Sequence, residues 1–127
     1  MTVPSSLRRW FVFHFFADLA FAVPLMLFPT ATLLLLGWTE VDPVATRIAA
    51  AALVGIGTQS LLGRNEGLEA YRAMLSLKCI WSAAAIVGLG VSIAQGAPPM
   101  TWGLLATFVA FAVLWNTYRV RLGKASV

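Results

Sequence analysis

The chain has 127 residues, of which 60% are hydrophobic and only 11% carry a charge. Soluble domains carry roughly 25% charged residues, so this composition excludes an ordinary water-soluble domain and predicts an integral membrane protein in a single domain, residues 1–127. Nine basic residues exceed five acidic ones and give a net charge of +4. Membrane orientation explains this excess, as argued below, so no nucleic-acid partner is predicted.

The counts of cysteine and histidine exclude several kinds of site. Cys79 and His14 are the single residues of their types. They exclude a disulfide within the chain, a cysteine-based metal cluster, a multi-histidine zinc site and a bis-histidine haem site in one chain. The sequence also contains no nucleophile–base pair and no glycine-rich phosphate loop. We therefore predict no catalytic activity of its own, no metal site and no cofactor motif.

Four apolar segments are long enough to cross the hydrocarbon layer, which takes about 20 residues of helix. They cover residues 7–28, 44–62, 68–95 and 100–120. Ser5 or Ser6 is expected to cap the first helix, and Pro24 to kink it near its far end. An Arg-Arg-x-Phe sequence lies at the start of this span, as in an export signal, but the length of the span and the three spans that follow favour a retained helix.

A shorter apolar segment, Pro29–Trp38, follows the first span and is too short to cross. We predict that it lies at the membrane interface or re-enters the membrane, with Gly37 at its C-terminal cap and Trp38 as an interfacial anchor. Asp42 followed by Pro43 is typical of a helix start, with aspartate as the N-cap and proline in the first turn.

The distribution of positive charge predicts the orientation of the chain. With both termini in the cytoplasm, the outer side receives Arg47 alone. The inner side then receives seven basic residues, which are Arg8, Arg9, Arg64, Arg72, Arg119, Arg121 and Lys124. This asymmetry predicts a multi-pass protein of the cell inner membrane. Small residues at four-residue spacing, Ala51 with Gly55 and Ala84 with Gly88, predict close helix packing within the chain, with a seam between identical chains as the alternative.

Polar side chains within the spans are the candidate binding residues. His14 and Asp18 are four residues apart and share one helix face. Counting 1.5 Å per residue from the inner ends of the helices places Lys78 at an overlapping depth, with Gln59 and Asn116 near the same level. Our hypothesis is one buried polar cluster with an Asp18–Lys78 ion pair. There are two alternatives. In one, the polar side chains serve only to hold the helices together, and in the other, each extends separately to the lipid headgroups.

Two further residues join this set of candidates. Trp81 fits neither interfacial aromatic belt, so we expect it at membrane depth, where it would line a ligand cavity with the polar cluster. Arg47 either pairs with the nearby Glu40 or Asp42, or holds a headgroup or another anionic ligand on the outer side. The sequence leaves both interpretations of Arg47 open.

Three features together have the layout of a known family. They are a first span that ends in Phe28-Pro29, the segment LLLLGW at Leu33–Trp38, and a helix that opens with Asp42-Pro43 and Arg47 before an Ala/Gly-rich run. This layout resembles the DoxX-like group of small four-helix bacterial membrane proteins. The resemblance implies a compact four-helix bundle, and some members are subunits of quinone-linked sulfur oxidation. No quinone motif is present in this chain, so no site residue is carried over.

The fold class that follows is an all-α transmembrane four-helix bundle with a short interfacial or re-entrant segment after the first helix. The leading function is a small membrane protein that binds an apolar or amphipathic ligand, or an accessory membrane subunit. A second hypothesis is an oligomeric transporter or channel for a small solute, using Asp18 and Lys78. A third is a quinone-associated anchor of a redox complex. Expected partners are membrane lipid, an apolar small molecule, and a second copy or a partner membrane subunit.

Overall fold

A computed structural model describes residues 2–124, and for Lys124 it describes the main chain alone. The predicted position of the Lys124 side chain on the inner side therefore lies outside the described part. The described part is helical and contains no strand. Its helices are α1 (Ser5–Leu27), α2 (Pro29–Leu35), α3 (Pro43–Leu62), α4 (Leu68–Ala94) and α5 (Met100–Lys124), with a 3-10 turn at Gly63–Asn65. The predicted all-α class, with four long apolar helices and a short helix after the first, is confirmed.

The surface of these helices is what a lipid environment requires. α1, α3 with its following turn, α4 and α5 are each long and apolar enough to cross a membrane. In the most apolar stretch of each, only 11 to 22% of the residues are buried. Large side chains such as Leu35, Ile48 and Ile80 are 87%, 67% and 68% exposed. So much exposed apolar surface would be unstable in water, and lipid covers it without that cost. The chain is a multi-pass membrane protein.

The chain forms two compact units, and the first is Pro4–Glu66. Its main contact is between α1 and α3. A guanidinium nitrogen of Arg8, near the start of α1, donates to the carbonyl of Arg64, just beyond the end of α3. Arg47 Nε, near the start of α3, donates to the Met26 carbonyl at the end of α1 at 3.1 Å. These contacts occur in opposite order along the two helices, so α1 and α3 run antiparallel.

The second unit begins at Gly67 and contains α4 and α5, which pack together. Arg72 Nη2, in the first turns of α4, donates to the Leu122 carbonyl in the last turn of α5 at 2.9 Å. Further along, the rings of Trp81 and Phe108 lie 6.5 Å apart. α4 and α5 are therefore antiparallel as well. The expectation of a single domain stays a prediction.

Local sequence explains how α2 and α4 end. Gly37 follows α2 with φ of 101°, in the left-handed region that glycine adopts without strain. The amide of Trp38 donates to the Leu33 carbonyl at 3.0 Å, a bond that closes the Schellman motif. The predicted termination at Gly37 is confirmed, and α4 ends in the same way at Gly96, whose φ is 87°.

The start of α1 differs from the prediction. The helix begins at Ser5, and its N-cap is Pro4, without a side-chain cap. The expected cap by Ser5 or Ser6 is therefore wrong. Proline fits this position because it has no amide hydrogen and its fixed φ suits the approach to a helix. Near the other end, Pro24 lies inside the helix, and its carbonyl accepts a hydrogen bond from Thr32 Oγ1 at 3.1 Å. The kink expected at Pro24 stays a prediction.

The predicted start of α3 is confirmed. Asp42 is the N-cap and Pro43 the first helical residue. One carboxylate oxygen of Asp42, Oδ1, accepts hydrogen bonds from the amides of Val44 at 2.8 Å and Ala45 at 3.2 Å. Two of the amides that a helix leaves without intrahelical partners are thereby satisfied.

Replacing Asp42 by alanine is expected to lower the free energy of unfolding by about 1 kcal/mol, because both amides lose their acceptor. Reversible unfolding in mixed micelles would measure the change. Glu40→Ala is the matched control, because the exposed Glu40 side chain has no hydrogen bond or ion pair within residues 2–124. Equal losses in the two variants would contradict a capping role.

The small-residue pairs do not bring helices together within either unit. Ala51 and Gly55 on α3 are exposed, and so are Ala84 and Gly88 on α4. A Cβ added at Gly55 or Gly88 would meet nothing within 4 Å. In the first unit, the close approach of α1 and α3 uses a different glycine, described next, and packing of these pairs elsewhere stays a prediction.

Candidate functional site

The first candidate site is a histidine–carboxylate pair on α1. His14 Nδ1 lies 3.1 Å from Asp18 Oδ2, and the two residues are only 6% and 7% exposed. The four-residue spacing stacks them on one face of the helix, as predicted. The Nδ1 edge of the imidazole therefore faces the carboxylate.

α3 passes directly over this pair at Gly57. A Cβ added to Gly57 would lie 2.9 Å from the Asp18 Cβ and 3.1 Å from Asp18 Oδ2. Real Cβ atoms do not approach so closely, so only glycine allows this contact. The absence of a side chain at Gly57 brings the backbone of α3 against the carboxylate.

Ser60 extends the polar surface of this unit. It is 1% exposed, and its hydroxyl donates to the Ile56 carbonyl at 2.8 Å. Since α1 and α3 are antiparallel and Gly57 lies against Asp18, Ser60 lies about one turn along α3, at the level of His14. α1 and α3 thus carry a histidine, a carboxylate and a hydroxyl that are all buried, at neighbouring levels along the two helices.

The second candidate site is on α4. Lys78 is 3% exposed, and its ammonium nitrogen lies 4.9 Å from the centre of the Trp115 ring on α5. This distance is within the range of a cation–π interaction. Trp115 is itself 1% exposed and stacks on Phe111 at 5.7 Å. The aromatic face stabilises the ammonium within a membrane-spanning helix, where a cation needs a partner.

Lys78 belongs to a continuous buried face of α4. The other buried residues of this helix are Tyr71, Met74, Leu75 and Ser82. Their spacing of three, four and seven residues places them on one side of the helix. A tyrosine, a lysine and a serine therefore follow one another along the buried face.

The remaining predicted residues lie elsewhere. Within their own units Gln59 and Asn116 are exposed. Their place in a polar cluster that joins helices of both units stays a prediction, as does their role in ligand binding. Trp81 is half-buried beside Phe108. The Asp18–Lys78 ion pair also stays a prediction, since the two residues belong to different units.

Arg47 does not form the expected local salt bridge. Its Nε donates to the Met26 carbonyl, and within residues 2–124 it has no ion pair with Glu40 or Asp42. The reason is that the Asp42 carboxylate caps α3 instead. Arg47 is exposed at the end of α3 that we predict to be outside, and anion binding there stays a prediction.

Three residues of these sites carried no assigned role in the sequence analysis: Gly57, Ser60 and Trp115. A usable signal was present for Ser60 and Gly57, which are three residues apart and so share a helix face. Trp115 gave no such signal, since a tryptophan near a helix end fits an interfacial belt equally well.

Comparisons with known proteins add no family to this description. No protein-family model matches the chain, and no curated protein or solved structure is significantly similar to it. Function therefore has to be inferred from the buried ionisable groups themselves.

Proposed function

We propose that this protein binds an apolar or amphipathic ligand in the membrane, with the His14–Asp18 pair as its polar anchor. The observation that carries the proposal is the burial of a histidine and a carboxylate, 3.1 Å apart, in a helix apolar enough to span a membrane. Ionisable groups at such positions are costly and mark binding or transport sites far more often than chance. A ligand site typically combines apolar walls with a few oriented polar groups.

The chemistry of the pair defines the polar end of such a ligand. When Nδ1, which faces Asp18, carries the hydrogen, the neutral His14 ring accepts a hydrogen bond through Nε2. A protonated ring donates through the same atom, and Asp18 stabilises its charge. A hydroxyl or carbonyl group on a lipid-like molecule matches these two states. Lys78, against the Trp115 ring, is a second candidate contact in its own unit and is tested separately.

The orientation that we propose has both termini in the cytoplasm, with the protein in the cell inner membrane. The distribution of basic residues supports this orientation. In the first unit, Arg8, Arg9 and Arg64 lie at one end of the α1–α3 pair and Arg47 at the other. In the second unit, Arg72 lies beside the end of α5 that carries Arg119 and Arg121. A basic excess at one end is typical of the cytoplasmic side.

Native mass spectrometry of the detergent-purified protein tests ligand binding. We expect a discrete bound mass on the wild type and at least about tenfold lower occupancy on Asp18→Asn, because the amide keeps the shape of the side chain but removes the negative charge beside His14. Lys78→Met, measured in parallel, shows whether the ammonium contributes. The mass identifies the ligand, and the same spectrum gives the oligomeric state.

Thr117→Val is the matched control, since it removes an exposed hydroxyl that donates to the Val113 carbonyl of its own membrane-spanning helix. It is expected to keep the bound mass. A wild type without any discrete adduct, or equal occupancy on all variants, would contradict the proposal. Circular dichroism of each variant would establish that the helices are retained.

One observation favours a second function, transport of a small solute linked to protonation. A histidine changes charge near neutral pH more readily than any other side chain, and here it contacts a carboxylate. Flux of a solute or of protons into liposomes, lost in Asp18→Asn, would support a transporter over a binding protein.

The resemblance to DoxX-like proteins suggests a third role, an accessory subunit that holds quinone. Copurification of a redox partner with a bound quinone would support that role.

A further inference from the structure

An open cleft of about 290 Å³ lies at the N-terminal end of α1, away from the His14–Asp18 pair. Its lining residues are Arg8, Arg9, Val12, Arg64 and Asn65. Three of the five are arginines and none is acidic. We call this feature the arginine cleft. Its composition concentrates positive charge where α1 and the 3-10 turn meet.

Main-chain carbonyls fix two of the three guanidinium groups. Arg8 donates to the carbonyl of Arg64 and, at 3.5 Å, to the carbonyl of Glu66. Arg64 Nη1 in turn donates to the Leu61 carbonyl at 2.6 Å. These bonds orient the two guanidinium groups at the cleft, where an anion would meet both of them.

Arg9 supplies the third positive charge and is exposed. Within residues 2–124 its side chain forms neither a hydrogen bond nor an ion pair. Glu66, the acidic residue closest in the sequence to Arg64, is exposed and makes no ion pair in the described part of the chain. Nothing in the described structure therefore requires the charge of Arg9 for folding.

We propose that the arginine cleft binds a phosphate group at the membrane interface. A guanidinium presents a planar fork of N–H donors that matches two oxygens of a phosphate, and several arginines together are typical of phosphate sites. The cleft is open, and Val12 supplies an apolar wall. An anionic phospholipid headgroup and free inorganic phosphate share this chemistry. Basic pockets beside membrane-spanning helices on the cytoplasmic side bind such headgroups in other proteins.

Titration of the detergent-purified full chain tests the site, with native mass spectrometry as the readout. The probes are phosphatidylglycerol, phosphatidylcholine and inorganic phosphate. We expect phosphatidylglycerol to bind the wild type more tightly than phosphatidylcholine. Arg9→Gln should weaken phosphatidylglycerol binding about fivefold, the effect of one basic residue near a membrane surface. Arg9→Lys should restore part of the affinity, since it keeps the charge but not the fork.

Arg121→Gln is the matched control. It removes the same charge from an exposed arginine at the predicted cytoplasmic side, outside the cleft. Equal weakening by Arg9→Gln and Arg121→Gln, or no preference for phosphatidylglycerol in the wild type, would overturn the proposal. Competition by millimolar inorganic phosphate would assign the site to the phosphate group alone, whereas a lack of competition would assign it to the lipid headgroup. Asp18→Asn is expected to retain this binding, which separates it from the ligand proposed above.

Discussion

Trp115→Ala is expected to lower the free energy of unfolding by about 3 kcal/mol or more, the largest single loss that we predict. A buried tryptophan replaced by alanine leaves a cavity whose lining loses its contacts, and losses of about 3–5 kcal/mol are typical. Trp115 is 1% exposed, and its ring faces the Lys78 ammonium at 4.9 Å. The variant therefore also removes the aromatic partner of a buried cation. Unfolding in mixed micelles would measure the loss.

Trp102→Ala is the control on the same helix, because Trp102 is 62% exposed. It should cost much less than Trp115→Ala. The cation–π contribution can be isolated by combining Trp115→Ala with Lys78→Met. We expect the two losses to be less than additive by about 0.5–2 kcal/mol. Strict additivity would contradict a stabilising contact between Lys78 and Trp115.

Gly57→Ala is expected to destabilise the protein by about 1–3 kcal/mol, although alanine is the better helix former. The new Cβ would lie 2.9 Å from the Asp18 Cβ. That atom is attached directly to the backbone of α1, so no change of rotamer removes the clash. The two helices would have to separate, and the contact between α3 and Asp18 would be lost.

Gly55→Ala provides the matched control, because a Cβ at Gly55 meets nothing within 4 Å. It is expected to be neutral or slightly stabilising. Asp18→Gly, which removes the opposing Cβ, should restore part of the stability lost in Gly57→Ala. Equal effects of alanine at the two glycines, or no rescue by Asp18→Gly, would contradict the close approach at Gly57.

Features that depend on neighbouring residues could be predicted from the sequence. The Asp42-Pro43 start of α3 and the turn at Gly37 use chemistry contained within a few residues. The four spans could be predicted from length and apolar composition, because the bilayer sets both. The spacing of His14 and Asp18 likewise gave their contact, since residues four apart on a helix are neighbours.

Features that depend on the rotation of a helix could not be predicted in the same way. α3 is apolar on nearly every side, so its sequence does not indicate whether Gly55 or Gly57 approaches α1. In a soluble helix, a polar face would reveal the orientation, but lipid requires no such face. For the same reason the sequence did not identify Trp115 as a buried partner of Lys78, since a tryptophan near a helix end fits an interfacial belt equally well.

The most direct test of ligand binding at the His14–Asp18 pair uses the imidazole of His14 as a probe. The chain contains a single histidine, so with any purification tag removed its ¹⁵N ring resonances need no assignment. Spectra are compared for the protein as purified, after its bound lipids have been extracted, and after the extracted lipids have been added back. We predict that removal of the bound lipids shifts the Nε2 resonance and that their return restores it. In Asp18→Asn, neither step should move the resonance. Unchanged ring resonances throughout would contradict a ligand contact at His14.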